Sequence, residues 1–295
     1  MAVFFLSAFA DEAGSSLSAQ IAALERNQIG SVELRNIDGQ SVSYMTPSKL
    51  GEVKRALQAH DISVYSLGSP IGKYPIDQPF EPHLRQFRMA LRAAMLLGAR
   101  YIRIFSFYVP QDRLDEYRPE VIRRLQVMLQ EASSVRVTLC HENETGIYGQ
   151  MPDRVADLLA ALPELRAIFD PANYRMNDAD SDQGLAVSLP SFAYMHVKDA
   201  IFKEQLVVPA GEGEGNVRAA LQAIHTNCQR EVCLTLEPHL RMFDAYRHID
   251  THDLKSKYTF ENNDQSFDCA AAALKKILLE LGFHQTPNNR WVSSV

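Results

Sequence analysis

Short apolar runs with strand character alternate eight times along this chain with longer segments of helical period. The strand-like runs cover residues 3–9, 31–34, 62–67, 101–105, 136–140, 165–169, 192–195 and 232–236. The helical segments cover residues 16–27, 47–60, 82–97, 118–133, 152–162, 180–189, 216–227 and 267–281. Such alternation calls for a parallel sheet, because a strand can rejoin its neighbour in parallel only through a crossover. Eight units in 295 residues fit a closed (β/α)8 TIM barrel, one domain spanning residues 1–295. An open doubly wound sheet fits less well, since neither a dinucleotide-binding glycine fingerprint nor a Walker loop is present. The punctuation agrees: Thr46 stands as N-cap before Pro47, and Gly98 and Gly282 close the third and last helices.

Four of the strand-like runs stop at a hard metal ligand. Residues 137–141 lead into Glu142, 165–169 into Asp170, 192–195 into His196 and 232–236 into Glu237. The stops lie about one strand–helix repeat apart, the last interval being longer. In a parallel barrel, strand ends converge on the face where barrel active sites sit, so these four residues form a candidate site for one divalent cation. Oxygen-rich coordination with one imidazole suits Mn²⁺ first, with Mg²⁺, Co²⁺ and Zn²⁺ also compatible. Strand alternation puts Thr138 and Cys140 beneath Glu142, and Cys233 and Thr235 beneath Glu237. It puts Lys198 on the face of His196, nearer the rim, and sends Asp199 away or into the loop. A cation held this way can bind adjacent hydroxyl and carbonyl oxygens of a sugar and stabilise the enediolate formed on deprotonation. Glu142 and Glu237 would then serve as base and acid on opposite faces of the reacting carbon.

Composition narrows the partners. Hydrophobic residues make up 46% and charged residues 22%, ordinary for a chain that buries a full core. The net charge of −6 argues against a nucleic-acid partner. Cys140, Cys228, Cys233 and Cys269 show no C-x-x-C spacing and read as reduced thiols of a cytoplasmic protein. The apolar N-terminus is short, lacks a basic start and runs into Asp11-Glu12, so it reads as a first strand rather than a signal peptide. No apolar run approaches the roughly 20 residues of a membrane span. Two connections are long: 68–81, and 238–266 between strand eight and the last helix. Both suit lids or substrate walls. The tail 284–295 reads as peripheral, and a homo-oligomer, if one forms, would use helix faces away from the mouth.

Glu142-Asn143, Asp170-Pro-Ala-Asn173, His196-Val-Lys-Asp199 and Leu236-Glu237 resemble the metal motifs of the xylose isomerase-like TIM-barrel superfamily. This is the sugar phosphate isomerase/epimerase group, also labelled AP endonuclease family 2. Val32-Glu33-Leu-Arg35 and the segment 209–216 match its habit as well, and the resemblance covers roughly residues 4–281. It implies that Glu142, Asp170, His196 and Glu237 ligate the metal and that the two glutamates double as the proton-transfer pair. Members of the group epimerise or isomerise sugars, dehydrate inosose or dehydroshikimate, or cleave DNA with three zinc ions. The last activity needs extra histidines, and here Asn173 and the ends of strands three and four supply none. Many epimerases of the group carry a histidine where this chain has Asn173. The expected activity is therefore isomerisation or epimerisation of a keto-sugar or polyol. The alternatives are dehydration of a cyclic keto-polyol or non-catalytic sugar binding.

Further residues are candidates for substrate contact. Asn173 belongs to the Asp170 motif. Lys198 would polarise a carbonyl or bind an anionic group, or else pair with an acid at the rim. Glu33 would hydrogen-bond a substrate hydroxyl, or instead partner Arg35 or Arg103; Arg103 sits mid-strand and needs a counter-charge. His239 would touch substrate or cap the loop after Glu237. Lys73 would reach the mouth or stay solvated, and Arg241 and Arg247 would grip an anion or lie on the surface. The run Gly-Glu-Gly-Glu-Gly at 211–215 lacks the Lys-Ser/Thr of a P-loop, and its glutamates repel phosphate. It reads as a tight loop into the seventh helix.

Overall fold

The apolar runs form the expected eight strands: β1 Val3–Ala8, β2 Ser31–Leu34, β3 Ser63–Gly68, β4 Tyr101–Ile104, β5 Thr138–Glu142, β6 Arg166–Phe169, β7 Phe192–Val197 and β8 Glu231–Leu236. The helices between and after them are α1 Leu17–Arg26, α2 Pro47–Ala59, α3 Phe80–Leu97, α4 Leu114–Ser133, α5 Pro152–Ala161, α6 Ser181–Ser188, α7 Val217–Asn227 and α8 Asn263–Glu280. They are seen in a computed structural model that describes residues 1–243 and 258–294. Parallel ladders join β2 to β3 and so on around to β8, and β8 pairs with β1. Among the described residues no helix is long and apolar enough to cross a membrane.

Local chemistry fixes the element ends. Ser16 and Thr46 accept backbone N–H bonds at the starts of α1 and α2, and Gly98 takes the left-handed conformation (φ 81°) that ends α3. β5 starts two residues later than its apolar run because Arg136 has a positive φ (58°), which no strand accommodates. α4 starts four residues earlier than expected. Pro119 lies inside it, and Asp115 and Glu116 favour its first turn. A short helix, Pro171–Met176, follows β6 directly, with Asp170 as its N-cap.

The tail is not peripheral. Residues Phe283–Gln285 (β9) and Arg290–Ser293 (β10) form an antiparallel hairpin, and β10 pairs with the edge of β1 through Phe4–Trp291 and Phe5–Arg290. No ladder joins β1 to β2 among the described residues, so this hairpin covers the edge that an unclosed barrel would expose. Trp291 is buried with it.

One apolar cluster fills the space between strands and helices. A second, smaller cluster lies inside the barrel, where Phe5, Tyr101, Cys140, Ile168, Tyr194 and Cys233 stack beneath the mouth. Cys140 and Cys233 thus lie on the strand faces that carry Glu142 and Glu237, as side-chain alternation requires. All four cysteines are free thiols, Cys140 and Cys233 buried, Cys228 and Cys269 partly so.

Candidate metal centre at the barrel mouth

Each of the four strand-end residues arrives at the mouth by a different local device. Glu142 is the last residue of β5, and His196 is inside β7. Asp170 caps the short helix after β6: its Oδ1 accepts the Asn173 N–H at 3.0 Å, which leaves Oδ2 facing the mouth. Asn143 clamps the Asp170 backbone from both sides, accepting its N–H (3.1 Å) and donating to its carbonyl (3.0 Å). Glu237 follows β8. One donor atom from each of Glu142, Asp170, His196 and Glu237 lies within 4.8 Å of the others, and all four residues are buried.

His196 is the hinge of the group. Its Nδ1 stands 2.9 Å from Glu142 Oε1 and 3.4 Å from Glu237 Oε2, while Nε2 stands 3.2 Å from Glu33 Oε2. Burial disfavours the charged ring, but Glu142 and Glu33 outweigh it and hold the imidazole protonated. Burial likewise pushes Glu142 up, yet His196 and Arg103 hold it down at about 2. Glu237 is held well below the usual carboxylate range, burial being outweighed by Lys198, His239 and His196. Asp170 goes the other way, to about 7: burial dominates, Lys198 opposes it, and Glu237 and Glu142 add to it.

Around these lies a second layer of buried charge. Arg103 Nη1 stands 3.2 Å from Glu142 Oε2. Lys198 Nζ bridges Asp170 Oδ2 (2.9 Å) and Glu237 Oε2 (3.3 Å). Arg35 binds Asp11 and Glu12 at 3.0 Å and Glu237 at 3.3 Å. The Phe9 ring is flanked by both guanidinium groups, at 4.3 Å for Arg35 and 5.0 Å for Arg103. Glu12 is pushed up to about 8 by burial, against Arg35 and with help from Glu237 and Asp11.

The donor set fits a divalent cation. Six carboxylates are buried here (Asp11, Glu12, Glu33, Glu142, Asp170, Glu237) against three permanent cations (Arg35, Arg103, Lys198). With His196 protonated two carboxylates are still in excess, and burial leaves Glu12 and Asp170 to take up protons in their place, at about 8 and about 7, so a cation entering the group would displace protons. Glu142 Oε2 and Asp170 Oδ2 are buried and receive no hydrogen bond, only the off-axis charges of Arg103 and Lys198. Bare carboxylate oxygens beside an imidazole are the ligands a hard to borderline cation takes. Glu12, Glu237 and His239 form a second, overlapping group, but Arg35 already stands among its carboxylates.

The remaining expected residues fall in three places. Lys198, Asn173 and His239 border the centre. Asn173 Nδ2 donates to Glu142 Oε1 (3.4 Å) and to the Asn143 carbonyl (2.8 Å), and His239 Nε2 lies 3.4 Å from Glu12 and 3.6 Å from Glu237. Glu33 is behind the centre rather than facing it. Its oxygens accept from Tyr194, Ser66 and Thr235 and contact His196, and neither oxygen bonds to Arg35 or Arg103. Lys73 is on the rim, paired with Glu144 at 2.9 Å and set over the Phe105 ring. Arg241 donates to Asn263 and to the Phe260 carbonyl, away from the ligands. Arg247 and residues 244–257 of the long loop lie outside the described residues. The loop 211–215 does wrap an anion, but an internal one: Gly211, Gly213 and Gly215 donate backbone N–H groups to the Asp199 carboxylate at 2.8–3.1 Å. A Cβ on Gly213 would come within 2.3 Å of that carboxylate.

Sequence reasoning gave no role to Asp11, Glu12, Phe9 or Asn143 and saw Arg35 only as a partner for Glu33. The signal for the acids was available, since Asp11 and Glu12 follow β1 as the four ligands follow or end their strands.

A parallel eight-stranded barrel with carboxylates and one imidazole at its C-terminal mouth defines a class of metal-site TIM barrel. The chain belongs to the xylose isomerase-like TIM barrel family, whose description matches residues 21–252. No curated protein sequence matches it. Solved structures share the fold at low identity. The probable 3-DHS dehydratase AsbF of Bacillus anthracis superposes with a TM-score of 0.71 at 13% identity, covering 93% of this chain and 99% of that one. D-psicose 3-epimerase of Clostridium cellulolyticum H10, solved with D-tagatose, gives 0.68 at 13% identity, covering 92% and 98%. The IOLI protein with a bound zinc atom gives 0.72 at 12% identity, covering 94% and 98%.

Proposed function

We propose that this protein is a divalent-metal-dependent isomerase or epimerase of a keto-sugar or related polyol. Glu142, Asp170, His196 and Glu237 would hold the cation, Mn²⁺ in the first instance, His196 giving up one ring proton as it binds. The observation that carries this reading is the convergence of Glu142, Asp170, His196 and Glu237 on one buried group in which Glu142 Oε2 and Asp170 Oδ2 receive no hydrogen bond. A cation bound there supplies positive charge beside the hydroxyl and carbonyl oxygens of the substrate and so lowers the cost of the charge made by deprotonation. Glu142 takes the proton from the carbon next to the carbonyl. Glu237 returns one from the other side, replenished through Lys198, whose Nζ is 3.3 Å from its Oε2. Asn173 holds Glu142 in position; His239 and Lys73 contact the substrate from the rim.

The names of the similar structures, an epimerase and a probable dehydratase, fit either outcome of such an enolisation. One observation favours dehydration as a second reading. Lys198 is a buried ammonium at the mouth, able to protonate a departing hydroxyl. The test is turnover of a panel of keto-sugars and cyclic keto-polyols by Mn²⁺-loaded protein in D₂O, followed by proton NMR. Deuterium at a carbon beside a carbonyl with no loss of water supports epimerisation or isomerisation, and loss of water supports dehydration. Turnover with neither label at such a carbon nor loss of water, or activity that survives exhaustive chelation, rules out both.

A further inference from the structure

The opposite end of the barrel carries a feature that the mouth chemistry does not use. A cavity of about 820 Å³ opens at the N-terminal ends of the strands, and Arg100, Arg166, Arg230 and Arg290 line it. Its one acidic lining residue is Glu231. In a chain of net charge −6, four arginines gathered at one opening against one glutamate make a local field opposite to that of the whole molecule.

The placement follows from the barrel. Arg100 precedes β4, Arg166 begins β6 and Arg230 precedes β8, so three arginines enter at the same level from alternate strands. Arg166 shares the inward parity of Ile168, whereas Arg100 and Arg230, just ahead of Tyr101 and Glu231, reach the opening from its rim. The fourth comes from β10, which brings Arg290 to β1 opposite Phe5. Aromatic rings close the floor: Phe5, Tyr65 and Tyr101 line the cavity and pack on one another at 5.1–5.2 Å.

Two of the four have structural duties. Arg230 donates to the carbonyls of Phe192, Ala193 and Glu231, and Arg290 pairs with Glu231 at 2.8 Å. Arg100 and Arg166 have none of this kind. Both are exposed, Arg100 lies over the Tyr101 ring at 5.1 Å, and neither bonds to an acid among the described residues. A guanidinium on a barrel floor that satisfies no carbonyl and no carboxylate is free for an anion, and its forked donors match phosphate oxygens. Hydroxyls of Ser63, Thr138 and Ser191 line the same cavity and add neutral donors. The volume is that of a small-molecule pocket.

We infer that the N-terminal end of the barrel is a binding site for a small oligophosphate, gripped by Arg100 and Arg166 within the field of Arg230 and Arg290. The site is separate from the metal centre, at the far end of the barrel axis, and would serve regulation rather than turnover.

The test uses the full chain and inorganic pyrophosphate as the probe, titrated by calorimetry at low salt. Wild-type protein should bind one pyrophosphate saturably at this site and lose affinity as sodium chloride is raised. Arg100→Gln and Arg166→Gln should each weaken binding about tenfold, and the double variant about a hundredfold. The positions are exposed, so thermal unfolding without ligand should be unchanged, while the shift that pyrophosphate gives the wild type should vanish in the double variant. Pyrophosphate could also bind at the metal centre, but that binding does not depend on these arginines. Affinity that survives the double substitution, or no saturable binding by the wild type, overturns the inference.

Discussion

Glu33 commits both carboxylate oxygens to other side chains, and one of these is His196. A carboxylate behind a ligating imidazole fixes the ring's orientation, and removing such a partner costs metal affinity. Glu33→Gln keeps the shape and the acceptor for Tyr194 but loses the charge. It should weaken Mn²⁺ binding about 10- to 100-fold with an unchanged circular dichroism spectrum; unchanged affinity by calorimetry would show that His196 is held by packing alone. His83 gives the pH dependence at this scale. Its Nε2 accepts the Gly72 N–H at 2.9 Å and its Nδ1 meets Gln86 Oε1 at 3.0 Å, so the ring is needed neutral. Burial lowers it to about 4 against an ordinary 6.5. The unfolded chain therefore takes up a proton that the folded chain refuses. The contribution is whole above pH 6.5 and is lost as pH falls towards 4, on the order of 3 kcal/mol at most. Urea midpoints from pH 7 to 4 should fall less steeply in His83→Gln than in the wild type; parallel slopes would contradict this. The four residues of the candidate metal centre were legible in sequence because each follows an apolar run. The roles of Glu33 and Arg35 were not, because they depend on which residues of other strands lie across the barrel, which no local pattern encodes.

Elements were legible where they were long and strongly periodic, and lost where they were short. The hairpin β9–β10 is the example. Its strands have three and four residues and flank Thr-Pro-Asn-Asn, too short for alternation to show. The physical reason for its existence is the edge that β1 presents where no ladder joins it to β2, a property of the assembled sheet rather than of the tail. Trp291 tests the hairpin. The indole is buried, and its Nε1–H has no hydrogen-bond partner. Trp291→Ala should therefore cost about 3–5 kcal/mol in urea unfolding. Trp291→Phe should cost less than about 1.5 kcal/mol, since no hydrogen bond is lost. Equal costs for the two would show that the indole N–H does matter. In the loop after β3, Gly72 has φ 92°, and a Cβ there would fall 2.0 Å from the Phe105 carbonyl oxygen. Gly72→Ala should lose about 3 kcal/mol or more, because neither the backbone conformation nor the space admits a side chain.

Across the whole molecule, charge is sorted along the barrel axis: carboxylates gather at the C-terminal mouth and arginines at the N-terminal end. Within the mouth, basic side chains pair with the buried carboxylates. Lys198 is the chief of these, with its ammonium between Asp170 Oδ2 and Glu237 Oε2. A divalent cation held by the same two carboxylates competes for the same negative charge, so ammonium and cation should be partly interchangeable as partners. Lys198→Met makes this measurable. In EDTA the substitution leaves buried carboxylates uncompensated and should cost about 3–5 kcal/mol of stability. With saturating Mn²⁺ the loss should be at least about 1 kcal/mol smaller, because the cation covers Asp170 and Glu237 and no longer faces a like charge. Put the other way, Mn²⁺ should stabilise the variant more than the wild type, each by RT ln(1 + [Mn²⁺]/Kd). Four urea unfolding curves decide it, two proteins with and without the ion. Equal costs of Lys198→Met in both conditions would mean that ammonium and cation do not share these carboxylates, and would move the metal away from Asp170 and Glu237.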